Sequence, residues 1–330
     1  MSKDFNWKDY LLKSGIPLEY EILKYLETKQ CQSSFGFTYL RDNENRETTE
    51  FSYDIDSSYI KPPHWIDLMI ECKYRHDSTK WLFLPSEYGG PDEIEHTSFM
   101  HPNDHFNKKN KFIFDHDFPI QFAPLCTKGI EITSEGQNPK TITQGIMQLS
   151  FAISKKIIDN FYHHTDNILA KQFNGVIFFN VPIIVTTAKL YRIREKATIN
   201  DIKNSDDIEA IAERKNSLVI KCKAGIELER YNYSVFQKFI NGHGKQKLSQ
   251  LLNTFNSDID FVMSVIAKHF SPSCIIVLEH NEKNESFEKL FQYMDLVIRP
   301  TDAIFEMIIK RKKEIQKVFK NIKKRKINTH

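Results

Sequence analysis

The chain is short of the features that most often announce a fold or a reaction. Its 330 residues include 11 glycines and 12 prolines, too few for a collagenous or low-complexity protein. Five cysteines (Cys31, Cys72, Cys126, Cys222, Cys274) are scattered and odd in number. Without a C-x-x-C pair they suggest neither a zinc site nor a redox centre, and they read as small buried apolar residues. The most continuous apolar stretch, 175–188, is broken by Asn180 and Pro182 and falls short of the ~20 residues that cross a bilayer. The segment Met1 to Lys13 lacks the apolar region and cleavage site of a secretory signal, so a cytoplasmic location is expected. No G-x-x-x-x-G-K-[ST] or G-x-G-x-x-G loop occurs, and no nucleophile elbow surrounds a serine or cysteine, which argues against ATP dependence and against covalent acyl transfer.

What remains is an ordinary globular composition, 40% hydrophobic and 27% charged, in a chain long enough for one elaborated domain or two. The net charge of +3 is unevenly spread. Residues 310–330 hold ten basic residues and one acidic one, Glu314, so the preceding 309 residues sum to −6. An acidic body with a cationic end suits a polyanion held through that end, and equally suits a solvated terminal helix.

Hydrophobic periodicity predicts a helix over Pro17–Glu27, with Leu18, Ile22, Leu23 and Leu26 on one stripe and Glu19 within its arc. A hairpin is expected from 35–41 and 50–60, with a turn over Asp42–Asn45; strict alternation puts Phe51, Tyr53 and Ile55 on one face and Ser52, Asp54 and Asp56 on the other. Strands follow at 65–74 and 81–85. Residues 86–140 read as an irregular polar excursion with a short strand at 112–114. Ile142, Ile146, Leu149, Ile153 and Ile157 define an amphipathic helix, and 175–187 a strand. Beyond it the expected elements are a helix over 199–215, a strand over 217–222, helices over 233–240 and 248–270, a strand over 274–279, a helix over 287–293 and a final helix from Thr301. This order predicts an α/β fold with a mixed central sheet flanked by helices. The expected division is a core over 1–190 and an α/β extension over 191–330 that packs on the core, a dimer surface or a partner-binding surface being the other readings of that second half.

The chemistry concentrates at Glu71-Cys72-Lys73. An E-x-K tripeptide is expected ~2 to 3 times by chance in such a chain and occurs three times, at Glu27, Glu71 and Glu213; only the middle copy ends an apolar strand. Period-two geometry puts Asp67, Met69, Glu71 and Lys73 on one face. If the Asp54 strand pairs alongside, Asp54 meets Glu71 across the sheet at ~5 Å. Carboxylates that close repel unless a proton or cation lies between them, and Mg²⁺ or Mn²⁺ prefers oxygen donors such as these and the backbone carbonyl of Cys72. Lys73 beside such an ion would orient or deprotonate water and stabilise charge developing on a phosphate. The competing readings are an exposed Asp54, a helix carboxylate at Glu19 paired with a cation, and a structural Glu71–Lys73 ion pair. A second metal reading uses His96, His101, His105 and His116 with Asp92, Glu93 and Glu95, but their spacings fit no helix-based ligand pair and solvated histidines are expected.

Asp54 followed by Ile70-Glu-Cys-Lys-Tyr-Arg75, with Glu19 on a preceding helix, resembles the PD-(D/E)XK nuclease superfamily over roughly residues 15–190. Phe51–Ile55 and Trp81–Pro85 also resemble segments of uncharacterised bacterial members. The resemblance implies a restriction-endonuclease-like fold and a Mg²⁺-dependent endonuclease, acting on DNA in preference to RNA, in restriction or anti-phage defence. It implies Asp54 and Glu71 as metal ligands, Lys73 as the residue that activates water, and Glu19 as an aid to water or a second metal. The chain departs from the pattern in having Tyr53 where the name has proline. Gln148 resembles the helix glutamine of some subfamilies but, like Gln144, lies off the apolar stripe and reads as a surface residue. The alternatives are a catalytically silent nucleic-acid-binding or regulatory protein that keeps the fold, and an interaction subunit whose partner supplies targeting. The final helix, with Ile304, Phe305, Ile308, Ile315, Val318, Phe319 and Ile322 on one side, is expected to hold the phosphate backbone near the site through Lys310–Lys313 and Lys320–Lys326.

Overall fold

The computed structural model describes residues 7–42, 47–86, 98–110, 112, 118–252, 258–269 and 272–327. Two helices, α1 (Trp7–Lys13) and α2 (Ile16–Thr28), lead into the hairpin β1 (Gln32–Asp42) and β2 (Thr48–Lys61), then β3 (His64–Lys73) and β4 (Lys80–Pro85). Next come β5 (His101–Asn103), β6 (Leu125–Thr133), β7 (Gly136–Asn138), the long helix α3 (Lys140–Thr165), α4 (Leu169–Gln172), β8 (Ile177–Thr186) and β9 (Lys189–Ile193). The second half supplies α5 (Ile199–Asn204), α6 (Ile208–Ile211), β10 (Ala212–Lys215), β11 (Ser217–Lys221), α7 (Ile226–His243), α8 (Lys245–Leu251), α9 (Ile259–His269), β12 (Cys274–Glu279), α10 (Glu285–Ile298) and α11 (Asp302–Ile327).

All ten residues of β8 are buried, as expected of an apolar run covered by helices on both faces. β8 runs parallel to β3 along its whole length and parallel to β12 over its last four residues. On that second side β5 pairs with 178–180 and β12 with 183–186. Pro182 therefore falls where the partner changes, and its missing N–H removes no ladder bond on that side. The strands join one mixed sheet in the order β1-β2-β3-β8-β12-β11-β6-β4-β9-β10. One face packs against α3, α7 and α9, the other against α2 and α10.

Several expectations change. The short strand expected at 112–114 does not include Phe112, and 113–114 lie outside the described residues; instead 125–133 form β6, between β11 and β4. The helix expected over 199–215 is two short helices, the first closed by a Thr198–Asp201 capping box, followed by β10. The helix over 248–270 is divided between α8 and α9. Residue 190 is no structural seam, because β11 and β12 lie in the interior of the sheet between β8 and β6.

The alternation expected through β2 also breaks. Tyr53 packs into the α3-side core and Ile55 into the α2-side core. The break lies opposite Gly36, at φ 69°, where the otherwise continuous β1–β2 ladder omits the pair 36/54. A glycine accepts this left-handed conformation at little cost. Beyond the break Asp56 faces α3, accepting hydrogen bonds from Tyr53 Oη (2.7 Å) and Lys156 Nζ (2.7 Å).

Candidate active site

Asp54 sits at this break, where the β2–β3 ladder has its last pair at Ile55/Ile70 and β3 continues beside β8 alone. The Cys72 N–H would otherwise lack a strand partner on that side; it donates to Asp54 Oδ2 at 2.6 Å. In an extended strand the N–H and C=O of one residue point to the same neighbour, so the Cys72 carbonyl also faces Asp54. The expectation that Asp54, Glu71 and Lys73 meet is fulfilled in space. Glu71, 1% exposed, accepts a hydrogen bond from Lys73 Nζ on Oε1, while its Oε2 is buried without a partner.

Helix α3 closes the site from above the sheet. A Cβ at Gly145 would stand 3.6 Å from Glu71 Cγ and 3.2 Å from Ile184 Cδ1, so a small residue here lets the helix approach the carboxylate. Gln148, one turn on, accepts from Lys73 Nζ at 3.4 Å and donates to Ser52 O at 3.1 Å, and its own carbonyl accepts from Tyr39 Oη at 3.0 Å. Gln148, half-buried, is thus part of the constellation; the helical stripe alone cannot reveal this, because its partners are on three strands that are remote in sequence. Gln144 is exposed.

Burial raises the pKa of the three carboxyl groups Glu19, Asp54 and Glu71. Desolvation, reinforced by the Asp54 charge, lifts Glu71 to about 7 in spite of Lys73. Asp54 is raised by burial against the opposing pull of the Cys72 N–H and Lys73. Glu19, half-buried on α2, is raised first by burial and then by Asp54, which places it within electrostatic reach of the pair. Glu19 does not complete a cage: among the described residues no three His, Cys, Asp or Glu side chains are arranged to hold a metal ion. The nearest donors are two carboxylates and one carbonyl. Their hard oxygens, and above all the unpartnered Glu71 Oε2, fit a small divalent cation.

Two threonines at the end of β8 fix the main chain that carries the site. Thr186 Oγ1 donates to Lys73 O (2.9 Å), and Thr187 Oγ1 accepts from Arg75 N (2.6 Å). The other histidine-based reading does not assemble: His101 is buried on β5 opposite Asn180 and His105 stands edge-on to Phe161, while His96, His116, Asp92, Glu93 and Glu95 lie outside the described residues.

Nor does the final helix begin at the site. Ile304 and Ile308 pack on Phe112, Phe118, Ile120 and Leu296, and neighbouring Asp295 and Arg299 bond to Tyr59 Oη and Pro62 O. That is the His64 end of β3, nine residue steps or about 30 Å from Lys73. Phe305 is 40% exposed; the side chains of Ile315, Val318, Phe319, Ile322 and Lys320–Lys326 are outside the described set. A cavity of about 280 Å³ bounded by Lys108, His164, Lys171 and Lys247 also lies at the start of β8, away from Glu71. No helix among the described residues is long and apolar enough to cross a membrane. No family model matches the chain, and neither the curated proteins nor the solved structures contain a match to it.

Proposed function

We propose that the chain is a metal-dependent nuclease of restriction-endonuclease-like fold that hydrolyses phosphodiester bonds, with DNA preferred to RNA as substrate. One observation carries this reading: a buried carboxylate, Glu71, keeps one oxygen without a partner beside Asp54 while Lys73 holds the other. Leaving such an oxygen bare costs on the order of 1–3 kcal/mol or more, a cost retained at sites that bind something.

Asp54, Glu71 and the Cys72 carbonyl would hold Mg²⁺ or Mn²⁺. When bound, the ion supplies a lowered water pKa and neutralisation of phosphate charge. Lys73, steadied by Gln148, would orient the attacking water and donate to a phosphate oxygen, and Glu19 would orient water at the edge of the group. The cationic helix α11 adds a separate, more distant contact to the backbone.

Purified protein with plasmid, linear and single-stranded DNA and with RNA, in Mg²⁺ or Mn²⁺, decides the matter. Cleavage by the wild type that is lost in Asp54→Ala and Lys73→Ala is the expected result. Equal cleavage by all three would mean contamination, and binding without cleavage by the wild type would favour a silent nucleic-acid-binding protein. Truncation after Ile309 is expected to weaken binding and flatten its salt dependence without changing the cleaved bond; an unchanged slope would remove α11 from the interface.

A further inference from the structure

We infer that Arg75 forms a second anion subsite beside Asp54 and Glu71, receiving a backbone phosphate next to the one that is cleaved; this rests on the phosphodiester reading above. Arg75 lies just beyond the end of β3, and its main chain is clamped, its N–H donating to Thr187 Oγ1 and its carbonyl accepting from the same hydroxyl at 2.6 Å. Its guanidinium is held through two of its three nitrogens. Nε donates to Glu131 Oε2 at 2.5 Å and Nη1 to Tyr74 O at 2.6 Å. Glu131 is 4% exposed and also accepts from Trp81 Nε1 (2.8 Å) and Thr141 Oγ1 (3.1 Å). Nη2 meets no described partner, and the side chain is 27% exposed.

Helix α3 spans both places. Thr141, which holds Glu131, and Gly145, which lies over Glu71, are one turn apart on the same face, or about 6 Å along the axis. That is comparable with the step between neighbouring phosphates of one strand. The Lys73 ammonium bonds to Glu71 and Gln148 and keeps one N–H for the phosphate that is cleaved, and the open Nη2 edge of Arg75 serves the next one. A guanidinium held in a fixed plane loses little freedom on meeting phosphate, and its fork matches two oxygens at once. A purely structural staple has no use for the open edge.

Binding of labelled single-stranded and duplex oligodeoxynucleotides, with Ca²⁺ in place of Mg²⁺ and a series of salt concentrations, tests this. Arg75→Gln is expected to weaken binding several-fold and to lower the slope of log K against log salt by ~0.7–0.9, one phosphate contact. Arg75→Lys should regain the slope while leaving the affinity reduced, since a point charge replaces a fork. Wild-type slope and affinity in a folded Arg75→Gln overturn the subsite. If that variant does not fold, wild-type affinity in Arg75→Lys overturns it, as does absence of oligonucleotide binding by the wild type at low salt. The subsite and the nuclease reading fail separately: an Arg75-dependent slope without cleavage removes turnover and keeps the subsite, and cleavage with an Arg75-independent slope does the reverse.

Discussion

Two carboxylates project from the same face of β3 toward α3, four residues apart, and their surroundings differ. Asp67, 3% exposed, accepts on Oδ1 from Ser58 Oγ (2.8 Å) and Trp65 Nε1 (3.0 Å), and no oxygen of it is left buried without a partner. Next to it Lys156 and Tyr53 both donate to Asp56. Glu71 is as deeply buried and, like Asp67, has another carboxylate nearby, yet its Oε2 makes no hydrogen bond. Burial and an acidic residue type are common to both. What separates the two is the buried Glu71 oxygen that makes no hydrogen bond.

Exchanging the two lysines is the strongest way to break this comparison. Lys73→Met is expected to lower cleavage by ~10²–10⁴-fold with little change in melting temperature. Lys156→Met leaves Asp56 and Asp67 without their cation and should cost about 3 kcal/mol of stability, read as a fall of several degrees in thermal unfolding, with residual activity in the folded fraction. Equal effects of the two changes on stability and on cleavage would erase the distinction.

Acidity sharpens it. Glu71 keeps its proton in the native state up to about pH 7, against an ordinary value of 4.5. The native form thus binds more protons than the unfolded one between those values, so Glu71 favours folding fully below pH 4.5 and this advantage fades as pH rises through 7. Glu71→Gln should therefore stabilise the metal-free protein at pH 8, by on the order of 2 kcal/mol, and flatten the dependence of melting temperature on pH over this window. A variant that melts at or below the wild-type temperature at pH 8 would contradict the assigned desolvation. The smallest effect is expected of Gln148→Ala, a ~3–10-fold loss of cleavage, about 1 kcal/mol for one hydrogen bond to Lys73; single-turnover rates would register it.

The site was legible because it is local. Glu71, Lys73 and the Cys72 carbonyl share one strand, and Asp54 reaches them through a hairpin whose two arms are visible as alternating patterns. Ile55 leaves the face it is expected to share with Phe51 and Tyr53 because period two assumes a regular strand, and the phase change depends on the glycine of a different strand, Gly36. Gln148 carries only the resemblance to a helix glutamine, which its place off the apolar stripe outweighs, and Arg75 and Glu131 carry no sequence mark, since each acts through elements tens of residues away. The strand β6 was missed for a related reason: Leu125–Thr133 contains Lys128, Gly129 and Glu131, and what makes it a strand is β4 and β11 on its two sides. The short helices and β10 between 199 and 215 were hidden by a continuous helical stripe that the Thr198 and Asp207 caps interrupt.

The place of β11 and β12 has a consequence for how the polypeptide must be made. A nascent chain that has emerged only as far as Ile193 can build the β1–β2–β3–β8 half and the β6–β4–β9 half, but the two strands that join them have yet to be synthesised. Each half would meanwhile offer an open apolar border to any passing strand. The fragment ending there is therefore an assembly awaiting its keystone, and the Lys73 end of β3 acquires a settled frame only once residue 279 has left the ribosome.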